Sequence, residues 1–430
     1  MSQMLYFCYP CKYIGVNLVD ELFRANAILV GIILVLIFVF GAILLLVYIK
    51  MKNHQPEVLE NASIETEFVE NTGVVASSED LQEITTNNQG ITKREVDRSS
   101  FTLGVEIGSG NFGKVYSGVL TGLYGTSSQT TVAIKSIQGT EINGLTINVQ
   151  GTTRSSEIND LLAEIKLMSK IRPHPNLVSL IGSCSSELET EGKLWLLMEF
   201  CEHGDLKSYL KENEKKILSG NENEALNSRC LLKWMYEVAK GMQYLEENKI
   251  MHGDLAARNI LLSEDPTNGK TPLAKVADFG LAKAFYDYLR YDKRNRVLVP
   301  WKWMALEYLE EDFFTLKSDV WSYGVLLWEV LSFGRTPYGQ QQYEEVLERL
   351  RSGYRLPCPD RIKVDSSWSP KDTYDTISPV CFIENPDMRH DFAGIVGLIE
   401  NILLPKEKSQ YRELVIAYRR VRAGNYLKTD

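Results

Sequence analysis

The chain has 430 residues, with 47 Lys and Arg against 56 Asp and Glu, a formal net charge of −9. That acidity excludes a general nucleic-acid binder, which needs clustered basic side chains against phosphates. Seven scattered cysteines are too few for a disulfide scaffold, and 44% hydrophobic with 24% charged residues excludes collagen-like, mucin-like and wholly disordered chains.

Residues 1–26 are too few for a folded domain. They hold Cys8 and Cys11, a C-x-x-C spacing that lacks the further ligands of a zinc site and the context of a redox motif. Residues 27–49, AILVGIILVLIFVFGAILLLVYI, run for 23 positions without a charge. At ~1.5 Å per residue they reach about 34 Å, enough to cross a ~30 Å hydrocarbon core. A single transmembrane helix is the expectation, because a buried core helix rarely runs so far without polar interruption. Lys12 and Arg24 on one side balance Lys50 and Lys52 on the other, so flanking charge does not orient the span. Residues 50–100 then read as a juxtamembrane linker. Ten acidic residues stand there against four basic ones before Arg98, with too little apolar surface to offset the entropy of ordering.

From Phe101 to about residue 200, β-branched stretches interrupted by glycine predict strands, broken by one helical run at 158–171. After Gly204 the periodicity turns helical, most clearly at 230–247 and 319–332. Strands first and helices second predict an α+β architecture of two lobes.

Residues 107–115, IGSGNFGKV, contain G-x-G-x-x-G in Gly108, Gly110 and Gly113. A Rossmann dinucleotide turn uses the same glycines. That turn opens a helix, however, whereas KVYSGVL continues as a strand. It also wants an acidic residue about 20 positions on, where Lys135 stands within VAIK. Glycines let a backbone lie over phosphates without a Cβ in the way, and a lysine on the next strand adds a point charge.

Further along, His252-Gly253-Asp254-Leu255-Ala256-Ala257-Arg258-Asn259 resembles the catalytic loop of a protein kinase. Asp278-Phe279-Gly280, Trp303-Met304-Ala305-Leu306-Glu307 and Asp319-Val320-Trp321-Ser322-Tyr323-Gly324 follow in that family's order. Over residues 101–404 the chain resembles receptor-type protein tyrosine kinases. The nematode receptor-like kinases with short extracellular regions are the nearer likeness, and the platelet-derived and vascular growth-factor receptor kinases the more distant one. The resemblance implies a two-lobed protein kinase fold, with a β-rich N-lobe and a helical C-lobe, preceded by the single transmembrane helix. Residues 405–430 are then a C-terminal tail.

The resemblance also implies roles. Lys135 holds the α- and β-phosphates of ATP, and Glu164 pairs with it from a helix. Asp278 and Asn259 bind Mg²⁺, or Mn²⁺ in its place, and Asp254 accepts the proton of the attacking hydroxyl. Gly108, Ser109, Gly110, Asn111, Phe112 and Gly113 cover the phosphates. Val115, Ala133 and Leu261 line the adenine slot beside Met198, while the backbone of Glu199 and Cys201 hydrogen-bonds the base. Ser/Thr kinases carry a lysine two residues after the catalytic Asp. Here that position is Ala256, with Arg258 two further on, and PWKWMA at 300–305 resembles the platform for a phenolic ring. Tyrosine is the implied acceptor. Glu307 and Arg389 are implied to form a buried ion pair.

Three departures from the family pattern stand out. Gly253 replaces the arginine that contacts a phosphorylated activation loop, so Tyr286, Tyr288 and Tyr291 are expected to regulate activity less than in typical receptors. Between Lys135 and Glu164 lie 28 residues, with a polar insertion at 139–156 that reads as a surface loop. The insert region at 211–229 is short. Beyond 404, Tyr411, Tyr418 and Tyr426 are candidate docking sites for phosphotyrosine-reading adaptors. The resulting expectation is a single-pass cell-membrane kinase with its N-terminus outside and its kinase domain cytoplasmic, acting on protein tyrosines. Only 26 residues precede the span, so activation through a homo- or heterodimer is expected. The alternative is a catalytically weak pseudokinase or scaffold, for which Gly253 is the support.

Overall fold

A computed structural model describes residues 94–426 apart from 111–112, 124–126, 138–140, 143–144, 147–150, 221–223, 225, 268–269, 282, 285–299, 312 and 361–367. The apolar span at 27–49, Cys8 and Cys11, most of the linker, Asn111, Phe112 and Tyr286, Tyr288 and Tyr291 lie outside the described residues. Among the described residues, no helix is long and apolar enough to cross a membrane.

The first lobe is built on strands β1 (Phe101–Gly110), β2 (Gly113–Thr121) and β3 (Gln129–Ser136). A small hairpin, β4 (Glu141–Ile142) with β5 (Leu145–Thr146), leads into helix α1 (Gly151–Lys170). Strand β6 (Leu180–Cys184), one short turn of helix, α2 (Leu188–Glu191), and strand β7 (Trp195–Glu199) complete it. The sheet is antiparallel throughout, in the order β1-β2-β3-β7-β6. Side chains alternate across a strand, and that period divides β3. Val132 and Ile134 join Phe101, Leu120, Trp195 and Leu197 in a core on one face. Ala133 and Lys135 take the other face, in register with Met198 and Leu196 of β7.

In α1, Ile158, Leu161, Leu162, Ile165 and Met168 are buried at helical spacing, which explains why that run was legible. The helix starts earlier than the apolar pattern, at Gly151, so residues 151–156 are helical and not the loop expected there. The stretch GTTRSS has no apolar period, and periodicity is the signal that marks a helix in sequence. Likewise, residues 211–219 of the expected insert belong to α3 (Leu206–Ser219), where Leu206, Leu210 and Ile217 are buried between exposed lysines and glutamates.

The second lobe centres on α4 (Ser228–Glu247), capped by the Asn227 side chain accepting from the Arg229 amide. Strands β8 (Ile250–Met251), β9 (Ile260–Ser263), β10 (Leu273–Val276) and β11 (Lys283–Ala284) follow; β9 pairs with β10 and β8 with β11. Then come α5 (Leu306–Glu311), α6 (Leu316–Leu331), α7 (Tyr343–Arg351), α8 (Pro370–Cys381), α9 (Phe392–Glu400) and α10 (Pro405–Tyr426). Helix α6 is buried nearly all round, and Trp321 and Tyr323 are fully buried in it. Burial of such a side chain contributes about 1.5–3 kcal/mol over leaving it in water. Residues 405–426 of the expected tail form helix α10, and its Tyr411 and Tyr418 hydroxyls are hydrogen-bonded to the body of the fold. Arg389 reaches Glu307 through Nη1 and Nη2 at 2.7 Å each, as the resemblance implied.

Candidate active site

Lys135 leaves the cleft face of β3 and meets Glu164 of α1, with Nζ 2.7 Å from Oε2 and 3.4 Å from Asp278 Oδ1. Both members of the Lys135–Glu164 pair are buried. Burial works to lower the lysine's pKa, but the charges of Glu164 and Asp278 outweigh it, so the net shift is upward and the ammonium stays charged. Asp278 itself adopts a left-handed backbone, φ 60°, two residues beyond the end of β10. A non-glycine residue holds that conformation at a cost of about 1–3 kcal/mol, which surrounding contacts must over-determine.

The opposite wall is the loop between β8 and β9. Asn259 Nδ2 donates to the Asp254 carbonyl and to its Oδ2, both at 2.7 Å, and Arg258 Nη2 donates to Asp254 Oδ1. The Arg258 guanidinium lies over the Trp303 ring, 4.3 Å from its centre. Burial pushes the Asp254 carboxyl up to about 6, against the pull of Arg258 and Asn259. That is a useful place for a proton acceptor near neutral pH, since it remains ionised yet basic.

The loop is held from below by α6. Asp319 accepts the His252 amide at 2.7 Å and the Gly253 amide at 2.9 Å. Glu329 accepts the Ala257 amide and the Trp303 indole N–H, both at 2.8 Å. His252 Nε2 is 3.0 Å from the Ala277 carbonyl, which ties this loop to the residue before Asp278. Gly253 takes φ 79°, and a Cβ there would lie 3.2 Å from the Leu281 carbonyl oxygen. The glycine therefore suits a backbone position as well as removing an arginine.

The donor set fits a hard divalent cation. With its Nδ2 spent on Asp254, Asn259 keeps an amide oxygen, and Asp278 adds a carboxylate one residue beyond Ala277, whose amide donates to the Asn259 carbonyl at 2.8 Å. Among the described residues no three His, Cys, Asp or Glu side chains cluster as a metal site. Magnesium needs no such cage, since it takes one or two protein oxygens and completes its shell with phosphate and water. The residues expected to line an apolar slot also lie together. Met198 and Leu261 pack with Val178, Cys201 and Ala277 in one cluster. Val115 lies opposite Lys135 in the sheet, and Ala133 opposite Met198. Gly110 and Gly113 pair across the turn from β1 to β2, and Gly108 pairs with Val115. A Cβ on Gly108 would meet the Val115 Cβ at an ordinary contact distance of 3.9 Å, whereas one on Gly113, φ 113°, would collide with the Ser136 carbonyl.

The fold thus brings together Lys135, Glu164, Asp254, Arg258, Asn259 and Asp278, and behind them the apolar slot. The Glu199 side chain, to which the sequence assigned no role, pairs with buried Lys275 at 2.7 Å. Sequence reasoning missed the supporting carboxylates. Asp319 sat inside a recognised motif with no role assigned, and Glu329 was signalled only as a lone charge in the apolar run VLLWEVL.

A family model described as protein tyrosine and serine/threonine kinase matches residues 101–399. Tyrosine kinase receptor Cad96Ca of Drosophila melanogaster is 34% identical over 302 residues, covering 69% of this chain and 35% of that protein. A fibroblast growth factor receptor of Strongylocentrotus purpuratus is 33% identical over 326 residues, 74% of this chain and 30% of that protein. Platelet-derived growth factor receptor alpha of Takifugu rubripes is 29% identical over 408 residues, 74% of this chain and 36% of that protein. The chain spans about a third of the length of these curated relatives. With the family model spanning most of the chain and the cleft assembled from its motif residues, this chain belongs to the protein tyrosine and serine/threonine kinase family.

Proposed function

We propose that the chain transfers the γ-phosphoryl group of ATP to tyrosine hydroxyls of proteins, as a single-pass membrane receptor-like kinase. The observation that carries the chemistry is Asp254, held between Arg258 and Asn259 and raised to about 6, facing a cleft whose other wall presents Lys135. Lys135, kept charged by Glu164, binds the nucleotide's phosphates, and amides of the glycine turn lie over them. A divalent cation on Asp278 and Asn259 supplies charge neutralisation for the phosphoryl oxygens. Asp254 takes the phenolic proton as the tyrosine oxygen bonds to phosphorus and the bond to ADP breaks. Arg258, stacked on Trp303, joins the catalytic loop to the acceptor platform, which favours a flat phenol over an aliphatic hydroxyl.

The membrane part of the proposal rests on residues 27–49, with 50–100 as the linker, 101–404 as the kinase domain and 405–430 as its tail. Cytosolic ATP sets the orientation, N-terminus outside and kinase inside the cell. Homo- or heterodimers and phosphotyrosine-reading adaptors are the partners that fit. A scaffold without transfer, the reading Gly253 favours, predicts nucleotide binding but no product. The test is incorporation of γ-phosphate into poly(Glu,Tyr) by the full chain with Mg²⁺ or Mn²⁺. Labelling that Asp254→Asn abolishes is expected; no labelling by the wild type favours the scaffold.

A further inference from the structure

Glu407, Tyr411, Leu414 and Tyr418, spaced 4-3-4, lie along one face of α10. Arg229 Nε and Nη2 both reach the Glu407 carboxylate at 2.6 Å, fastening the start of α10 to the start of α4. Leu414 is buried. Tyr411 Oη donates to Asn176 Oδ1 at 2.7 Å, and its ring meets Tyr236 edge-on with centroids 5.0 Å apart. Tyr418 Oη is 3.0 Å from Ser179 Oγ, with Lys275 Nζ 5.2 Å from the centre of its ring.

Asn176 and Ser179 lie in the connector between α1 and β6, behind the cleft. Fully buried Asn176 donates through Nδ2 to the Ala274 carbonyl at 3.0 Å, and its own carbonyl accepts the Val276 amide at 2.9 Å. The Val178 amide returns to the Val276 carbonyl at 2.9 Å, and the Ser179 carbonyl accepts the Glu199 amide at 3.1 Å. This connector is therefore continuous with the helix that carries Glu164 and hydrogen-bonded to β10, whose last residue, Val276, lies two positions before Asp278.

We propose that α10 is a strap that sets the cleft from behind, with Tyr411 and Tyr418 as positioning residues acting through Asn176 and Ser179. The strap is fastened while Lys135 and Glu164 are paired. A contact made in one arrangement stabilises that arrangement, so the strap favours the paired, transfer-competent cleft. The kinetic arm of the test rests on the phosphoryl-transfer reading above; a second arm does not.

The experiment is a double-mutant cycle in the full chain, Tyr411→Phe with Asn176→Ala, repeated as Tyr418→Phe with Ser179→Ala should Asn176→Ala fail to fold. One arm measures kcat and acceptor KM on poly(Glu,Tyr). The other measures amide hydrogen exchange at Val178 and Val276 without any catalysis. Each tyrosine variant is expected to lower kcat about threefold to tenfold at unchanged acceptor KM, the scale of one lost hydrogen bond. Each double variant should be no worse than its connector single, and exchange at both amides should quicken by a similar factor. Unchanged or raised kcat, additive losses within a pair, or unaltered exchange would overturn the strap. Should the wild type transfer no phosphate, the functional reading fails alone and exchange decides the strap.

Discussion

Lys135 reaches its partner across the gap between a strand and a helix, whereas Asp254 sits in a loop whose backbone amides are bound by two buried carboxylates of α6. The first arrangement joins two elements through their charges, so moving α1 would open the pair. The second is pinned at His252, Gly253 and Ala257, within a lobe whose core is largely helical. One wall of the cleft is thus adjustable and the other fixed. Acceptor chemistry belongs on the fixed wall, where a small displacement of the base would cost rate. Control belongs on the adjustable wall.

Substitutions can break this contrast, and the largest effect is expected deep in the fixed lobe. Arg389→Ala leaves Glu307 charged and unpaired, and should cost ~3–5 kcal/mol in denaturant unfolding. A loss under 1 kcal/mol would show that the pair is not a pillar of the lobe. A matched pair of variants sharpens the contrast. Asp319→Asn should cost about 1–3 kcal/mol of stability by disturbing two buried amide contacts. Glu164→Gln keeps an acceptor for Lys135, whose charge Asp278 still meets, so it should cost less stability than Asp319→Asn while lowering kcat about 10²-fold, the scale of one lost charge contact in a cleft. Equal stability losses for the two would erase the distinction.

Proton linkage separates activity from stability. Asp254, raised to about 6, must be ionised to accept a proton, so kcat/KM should fall about tenfold per pH unit below that value. Burial raises Asp319 and Glu329 to about 7 each. The folded state therefore holds their protons more tightly than the unfolded chain, and their contribution to stability is full below pH ~4 and lost as pH rises through ~7. Urea midpoints across that window check the sign, and a rise with pH that Asp319→Asn leaves unaltered would contradict it. The smallest effect is expected at Gly253→Ala, where φ 79° and a close Leu281 carbonyl should cost about 1 kcal/mol. A stabilised variant would mean that the loop tolerates a Cβ.

Most of the cleft was legible because its side chains sit in short contiguous motifs: the glycine turn, Lys135 in VAIK, Asp254 to Asn259, and Asp278. Glu164 was legible through the resemblance alone, since Glu157 and Asp160 share its helix. The supports were not. Asp319 and Glu329 bind backbone amides 66 and 72 positions away, and an amide donor leaves no trace in residue type. Helix α1 begins in a Thr- and Ser-rich stretch with no apolar period, so its first turns were silent. Tyr411 and Tyr418 carried a readable 4-3-4 spacing with Glu407 and Leu414. Tyrosines in a polar tail were instead read as exposed docking sites, and only the fold places Asn176 and Ser179 opposite them.

The most direct measurement is a rapid-quench single turnover of the full chain on two peptides that differ only in Tyr or Ser at the acceptor position, run alongside Asp254→Asn. Phosphotyrosine should form on the first peptide with little phosphoserine on the second, and the variant should be slower by about 10²–10⁴-fold. Equal labelling of both peptides, or a variant as fast as the wild type, would contradict a cleft in which Asp254 directs phosphoryl transfer to a phenol.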